Sequence, residues 1–467
     1  MDATIDTLRP RWTLVLFATF ILICVAFGGS SRPNNISMLI VRPVAVLFMT
    51  LVLSAPIARN WTGLRWPLAL LAAFAASIAL QLVPLPPAIW SSLPGHARFL
   101  EAATAAGLPQ PWRPISLAPD MTLNSLVALI VPLATLIGAS TITPQQRIAM
   151  LPILLAAMIA SAVLGVAQWA GSRNSLLYFH HYSNRDLPIG FFANRNHQAL
   201  FLAMALPLLR LWSVLPSRIV PRPRTRNWLA GAAALLVALV VVATGSRSGL
   251  VLGVVGVVLA FAILPPNLSV MMNTRASRRR ALIVSASVLL ALLAVILATV
   301  YLGRAVSVTR IAQVGQVESD LRVRYFPIVL GITRDFLPFG SGFGTFQDMF
   351  HVYEPTWALK PTNFNHAHND LLELAMTGGV PSLLALVAFV TFLVVRARAI
   401  LSWGRTRSAS RMAATALLLI LMAFAASLTD YPLRAPSIAM LLALASTWLA
   451  TPLDEAYRPA KRPTTLP

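Results

Sequence analysis

The sequence predicts an all-α polytopic membrane protein of about twelve transmembrane helices, with one long, partly helical outer loop between spans nine and ten. Three observations predict it. The 467 residues are 57% hydrophobic and 11% charged, where a soluble domain carries about 25% charged residues. Mean hydropathy is +0.73, and the apolar residues fall in runs approaching the ~20 residues that cross a bilayer. The loops between the runs alternate in character, one set almost purely basic and the other collecting acids and prolines.

Taken in order, the runs are 12–28, 37–57, 66–83, 121–140, 148–170, 191–214, 228–244, 247–264, 281–303, 379–395, 412–429 and 435–451. Each is read as a helix, because a backbone facing lipid must satisfy its own hydrogen bonds. Residues 9–27 imitate a signal peptide, with Arg9 and Arg11 ahead of an apolar stretch. No small-x-small cleavage site follows, so an uncleaved first span is expected. The chain divides into residues 1–190 (five spans and their outer loops), 191–303 (spans six to nine), 304–378 (the long loop) and 379–467 (the last three spans and a tail).

The basic loops hold Arg9 and Arg11, Arg59 and Arg65, Arg147, Arg210 to Arg226, Arg275 to Arg280, Arg396 to Arg411, and Arg458 to Arg462. This is the positive-inside pattern, and it puts both termini in the cytoplasm. It also accounts for the net charge of +22 without nucleic acid as a partner, since the arginines lie in short loops between apolar runs. The one cysteine, Cys24, sits in an apolar run, which excludes an intrachain disulfide and a thiolate metal site.

The outer loops carry the candidate chemistry. Arg195 lies in Ala193-Asn194-Arg195-Asn196-His197, Arg247 in Gly245-Ser246-Arg247-Ser248-Gly249, and Arg322 and Arg324 in Leu321-Arg322-Val323-Arg324-Tyr325-Phe326. The positive-inside rule does not explain arginines on this side, and guanidinium forks suit phosphate oxygens. Snorkelling from the interface competes for Arg195 and Arg324, and an ordinary turn for Arg247. The long loop is expected to contain a helix from Asp320 to Phe336, then a glycine-rich turn from Pro338 to Gly344. That turn lacks the spacing of a dinucleotide site.

Ahead of the tenth run stands Asn363 to Ser382, N-F-N-H-A-H-N-D-L-L-E-L-A-M-T-G-G-V-P-S. Three readings of its titratable residues are open. His366, His368, Asp370 and Glu373 are a possible metal set. Asn365 or Asn369 would cap a helix whose first turn carries Asp370 and Glu373. One histidine would be a general base.

These motifs together resemble the O-antigen ligase and O-antigen polymerase superfamily of bacterial inner-membrane glycosyltransferases. The resemblance runs from about Phe191 to Ser382, through F-F-A-N-R-N-H-Q-A-L-F-L, T-G-S-R-S-G-L, R-V-R-Y-F-P, P-F-G-S-G-F-G-T-F and H-A-H-N-D-L-L-E. His368, Asn369 and Gly379 fit the family's histidine motif, and Ser382 departs from it. The resemblance implies a metal-independent, inverting transfer of a glycan from an undecaprenyl-diphosphate carrier at the periplasmic face of the inner membrane. No cofactor is implied. The acceptor would be lipid A-core, a growing glycan or a protein. His368 would be the catalytic base. Arg195, Arg247 and Arg324 would hold the diphosphate, supported by Asn369, His366, Arg322, Asn194 and Asn196. Ligase, polymerase and protein O-oligosaccharyltransferase share these motifs. A transporter or flippase for lipid-linked glycan would use the same arginines without needing His368; it should show matching broken helices in its two halves, and none are seen.

Overall fold

The computed structural model describes residues 11–32, 35–57, 59–61, 63–172, 174–180, 184–217, 219–265, 323–359, 364–403 and 408–451. Among these it is almost wholly helical. Helices occupy every expected span except 281–303, which lies outside the described residues together with Arg322 and the basic loop at 275–280. Among the described residues, six segments are long and apolar enough to cross a membrane: Pro119–Ser140, Gln145–Ala170, Arg195–Val214, Pro223–Ala243, Asp370–Ser402 and Ser408–Ser427. Shorter apolar helices span Arg11–Phe27, Met38–Ser54, Arg65–Leu80, Arg247–Ile263 and Pro436–Ala450. The chain forms two compact units, Met1–Met150 with Arg322–Pro467, and Leu151–Leu321.

In the first unit, α1 (Arg11–Phe27) and α2 (Ile36–Ser54) join through stacked Phe20 and Phe48, ring centres 4.6 Å apart. Helix α3 (Arg65–Leu80) leads into the proline-rich loop, which is not featureless. It holds α4 (Pro87–Ser91), α5 (Ala97–Ala105) and a two-stranded ribbon pairing β1 (Pro84–Leu85) with β2 (Arg113–Pro114). The expected fourth span is two helices, α6 (Pro119–Ala128) and α7 (Ile130–Ser140), broken at Leu129. Pro132 accounts for the break, since its ring takes the place of an N–H that would bond residue 128.

The second unit contains most of α8 (Pro144–Ala170), then α9 (Arg195–Val214), α10 (Pro223–Ala243) and α11 (Arg247–Ile263). A Cβ on Gly249 would strike the Ala199 methyl, and one on Gly253 would touch Leu206 and Ala203. Helices α9 and α11 therefore run side by side in the same direction.

The first unit resumes with α12, a helix over 323–336, inside the expected 320–336. Tyr325, Val329, Ile332 and Phe336 are its buried stripe, at the three- and four-residue spacing of one helix face. Then come α13 (Phe346–Tyr353), a 3₁₀ turn at Thr356–Ala358, α14 (Asp370–Trp403), α15 (Ser408–Ser427), a second 3₁₀ turn at Pro432–Arg434, and α16 (Pro436–Ala450).

Helix α14 begins nine residues before the expected span at 379 and kinks at Gly379, where φ is 60°. Pro381 has no N–H for the Thr377 carbonyl, and a freed backbone group needs another partner. The glycine-rich turn supplies them. Gly342 N–H donates to Thr377 O at 3.0 Å, Ser341 N–H to Met376 O at 3.0 Å, and Val380 N–H to Pro338 O at 2.8 Å. Gln81, just after α3, donates to Thr377 O at 2.8 Å and Phe339 O at 3.0 Å. Gly340 has φ 79°, and a Cβ there would strike the Thr377 carbonyl. The turn thus docks on the kink, and the segment 370–378 is held at an angle to the rest of α14.

Candidate active site

The loop from Phe364 to Asn369 delivers both histidines to the start of α14. Asn369 is the cap, its Oδ1 accepting the Leu372 N–H at 3.0 Å, with Asp370 and Glu373 in the first turn. His368 has φ 51°. A left-handed non-glycine residue costs on the order of 1–3 kcal/mol and marks places where the surroundings impose it. Here the imposition is aromatic: the imidazole lies 5.5 Å from the Phe364 ring and 5.1 Å from the Tyr431 ring. Its Nδ1 is 3.4 Å from Asp430 Oδ1, without hydrogen-bond alignment.

His366 belongs to a second pairing. Its Nδ1 meets Glu373 Oε1 at 3.1 Å, and the Ala367 N–H donates to Glu373 Oε2 at 2.9 Å. Tyr431 packs against this ring too, tilted by 44° with ring centres 4.2 Å apart. Burial pushes the His366 imidazole below its ordinary value, and Glu373 offsets part of that. An unfolded histidine titrates near ~6.5. The fold therefore refuses a proton that the unfolded chain accepts, so stability is full above about pH 6.5 and falls as pH drops through the lower folded value. Thermal unfolding in detergent should show a larger loss from about pH 7.5 to pH 5 for the wild type than for His366→Asn. Equal losses would remove His366 as the cause.

Arg434 sits among the carboxylates. Its Nη2 is 2.9 Å from Glu373 Oε1, and its Nε is 3.4 Å from Asp370 Oδ1. Asp370 Oδ2 also accepts the Ser427 hydroxyl at 2.9 Å. Burial opposes the Arg434 charge, but Glu373 and Asp370 outweigh it and raise the guanidinium above its usual value. The two carboxylates that a metal would need already face a cation.

Asp430, Tyr431 and Arg434 were missed in reading the sequence. Their signal was present: Thr429-Asp430-Tyr431-Pro432-Leu433-Arg434 puts an acid, a phenol and a guanidinium in a short connector between apolar runs. Ionisable residues so close to apolar spans need a reason.

The sequence-predicted arginines fall in different units. Arg324 is on α12 in the first unit, exposed, its guanidinium 5.1 Å from the centre of the Trp357 ring. Arg195 and Arg247 open α9 and α11 in the second unit. Asn194 caps α9, its side chain accepting the Asn196 N–H at 2.8 Å, while Asn184 Oδ1 accepts the Arg195 N–H at 3.0 Å. Ser246 caps α11 by accepting the Gly249 N–H at 3.1 Å. Since α9 and α11 are parallel, both arginines stand at the same end of the pair, beside two helix N-termini whose dipoles favour an anion.

Residues 232–387 match the family model described as O-antigen ligase. The match covers a third of the chain and supports the resemblance to the O-antigen ligase and polymerase superfamily. No curated protein matches the chain. The O-antigen ligase segment takes in Arg247, Arg324, His366, His368 and the Gly379 kink, and it ends before Asp430 and Arg434. The apolar helices make the chain a membrane protein, and the matched segment points towards a glycosyltransferase-like enzyme.

Proposed function

We propose that the protein is an O-antigen-ligase-like glycosyltransferase, moving a glycan from an undecaprenyl-diphosphate carrier to an acceptor hydroxyl of lipid A-core or a growing polysaccharide. The reaction takes place at the periplasmic face of the bacterial inner membrane, in a chain of twelve spans with both termini cytoplasmic. The observation that carries this is His368, held in left-handed backbone between two aromatic rings beside Asp430, within the segment matched to the family.

In the proposed chemistry His368 takes the acceptor proton through Nε2, while Asp430 beside Nδ1 stabilises the imidazolium that forms. The acceptor oxygen bonds to the anomeric carbon as the bond to the diphosphate oxygen breaks on the opposite side. The configuration therefore inverts, and the electron pair leaves on the carrier. Arg195, Arg247 and Arg324 neutralise the charge that grows there. No metal is required, because guanidinium groups supply the positive charge. His366 and Asn369 support the loop that carries His368, and Asn194 and Asn196 the start of α9.

Deleting the gene in its host and examining the envelope glycans tests the reading. Bare lipid A-core is expected. Single unpolymerised units would indicate a polymerase, and unglycosylated protein a protein-modifying enzyme. Unchanged glycans would overturn the proposal.

A further inference from the structure

The Arg324 guanidinium lies over the ring of Trp357, 5.1 Å from its centre. Among the described residues no carboxylate is within ion-pair distance of Arg324, although Glu354 is close enough to act on the neighbouring Tyr325. A guanidinium held over a ring and not by a carboxylate keeps N–H donors available for a planar, bidentate anion. Trp357 itself is built into place. It lies in the 3₁₀ turn Thr356–Ala358, which the Tyr325 hydroxyl ties to α12 by donating to Ala358 O at 3.4 Å. The Tyr325 ring is 5.9 Å from Trp357 and 4.8 Å from Phe364, and Phe364 is 5.5 Å from His368. One aromatic cluster therefore carries the arginine's platform at one edge and the candidate base at the other. Trp357 is 53% exposed, so the guanidinium it carries is open to a ligand.

We infer that Trp357 is a positioning residue: its ring holds the Arg324 guanidinium flat, with the donor edge presented to a phosphate group of the donor lipid. This rests on the reading that Arg324 binds the donor diphosphate. Trp357 touches Arg324 and not the reacting atoms, so its effect should fall on donor KM and not on kcat.

The test uses the full-length protein in detergent, with Trp357→Leu, Trp357→Phe and Arg324→Ala, alone and combined, and a lipid-diphosphate glycan as donor. Trp357→Leu is expected to raise donor KM about two- to five-fold, the size of an exposed cation–π contact. Trp357→Phe should stay within about two-fold of the wild type, and Trp357→Leu should add nothing once Arg324 is alanine. An additional loss in the Arg324→Ala background would mean that Trp357 meets the substrate directly, which overturns the inference. An unchanged KM in Trp357→Leu alongside a raised KM in Arg324→Ala overturns it too, while sparing the role of Arg324. An unchanged KM in Arg324→Ala sinks that role instead. A readout without substrate separates the two: phenylglyoxal labelling of Arg324, followed by peptide mapping, should quicken in Trp357→Leu and not in Trp357→Phe. Equal labelling rates in all three proteins would show that the ring does not hold the guanidinium.

Discussion

Replacing His368 with alanine is expected to lower kcat for glycan transfer about 10²–10⁴-fold, the usual contribution of a positioned base, while donor KM stays near the wild-type value. The split follows from the geometry: the imidazole belongs to the loop ahead of α14 and faces Phe364, Tyr431 and Asp430, whereas the proposed diphosphate contacts are arginines elsewhere. A loss confined to kcat marks an interaction made in the transition state. Asp430→Asn should act in the same direction by a smaller factor, since it touches the imidazole and not the acceptor. Single-turnover transfer with purified protein is the measurement. A His368→Ala enzyme that transfers glycan at the wild-type rate ends the assignment of a base.

Arg434→Ala is expected to be the most destabilising single substitution around the start of α14, by about 3–5 kcal/mol, as for other broken buried ion pairs. Glu373 has a side chain only 1% exposed, and Arg434 meets it at 2.9 Å. Removing the guanidinium leaves that carboxylate with His366 and the Ala367 N–H, and leaves Asp370 with Ser427. The combination Arg434→Met with Glu373→Gln should recover much of the loss, because it removes both members of a charged pair. Unfolding of the variants in detergent decides the matter; a double variant no more stable than Arg434→Ala would show that packing, and not charge, sets the cost.

Much of the local structure was legible in the sequence because its causes are local. Apolar runs are dictated by the bilayer's thickness, and helices end where a cap residue accepts an N–H a few positions on. Asn369, one of the two caps expected from the sequence, does so, and Asn194 and Ser246 do so as well. The stripe of Tyr325, Val329, Ile332 and Phe336 was readable as a helix for the same reason. The break at Leu129 carried a local signal in Pro132 that a hydropathy run hides.

The sequence by itself determined an all-helical membrane chain, the motifs that carry its family resemblance, and the stretch in which a histidine precedes a helix start. Only the tertiary structure decided which charges meet. Arg434 neutralises Glu373 and Asp370, and Asp430 attends His368, across an intervening pair of apolar helices. The glycine-rich turn and Gln81 donate to the backbone carbonyls freed at the α14 kink. Spacing along the chain holds no record of such pairings. They are set by which helix ends packing brings to the same face, and by the cost of leaving any polar group there without a partner.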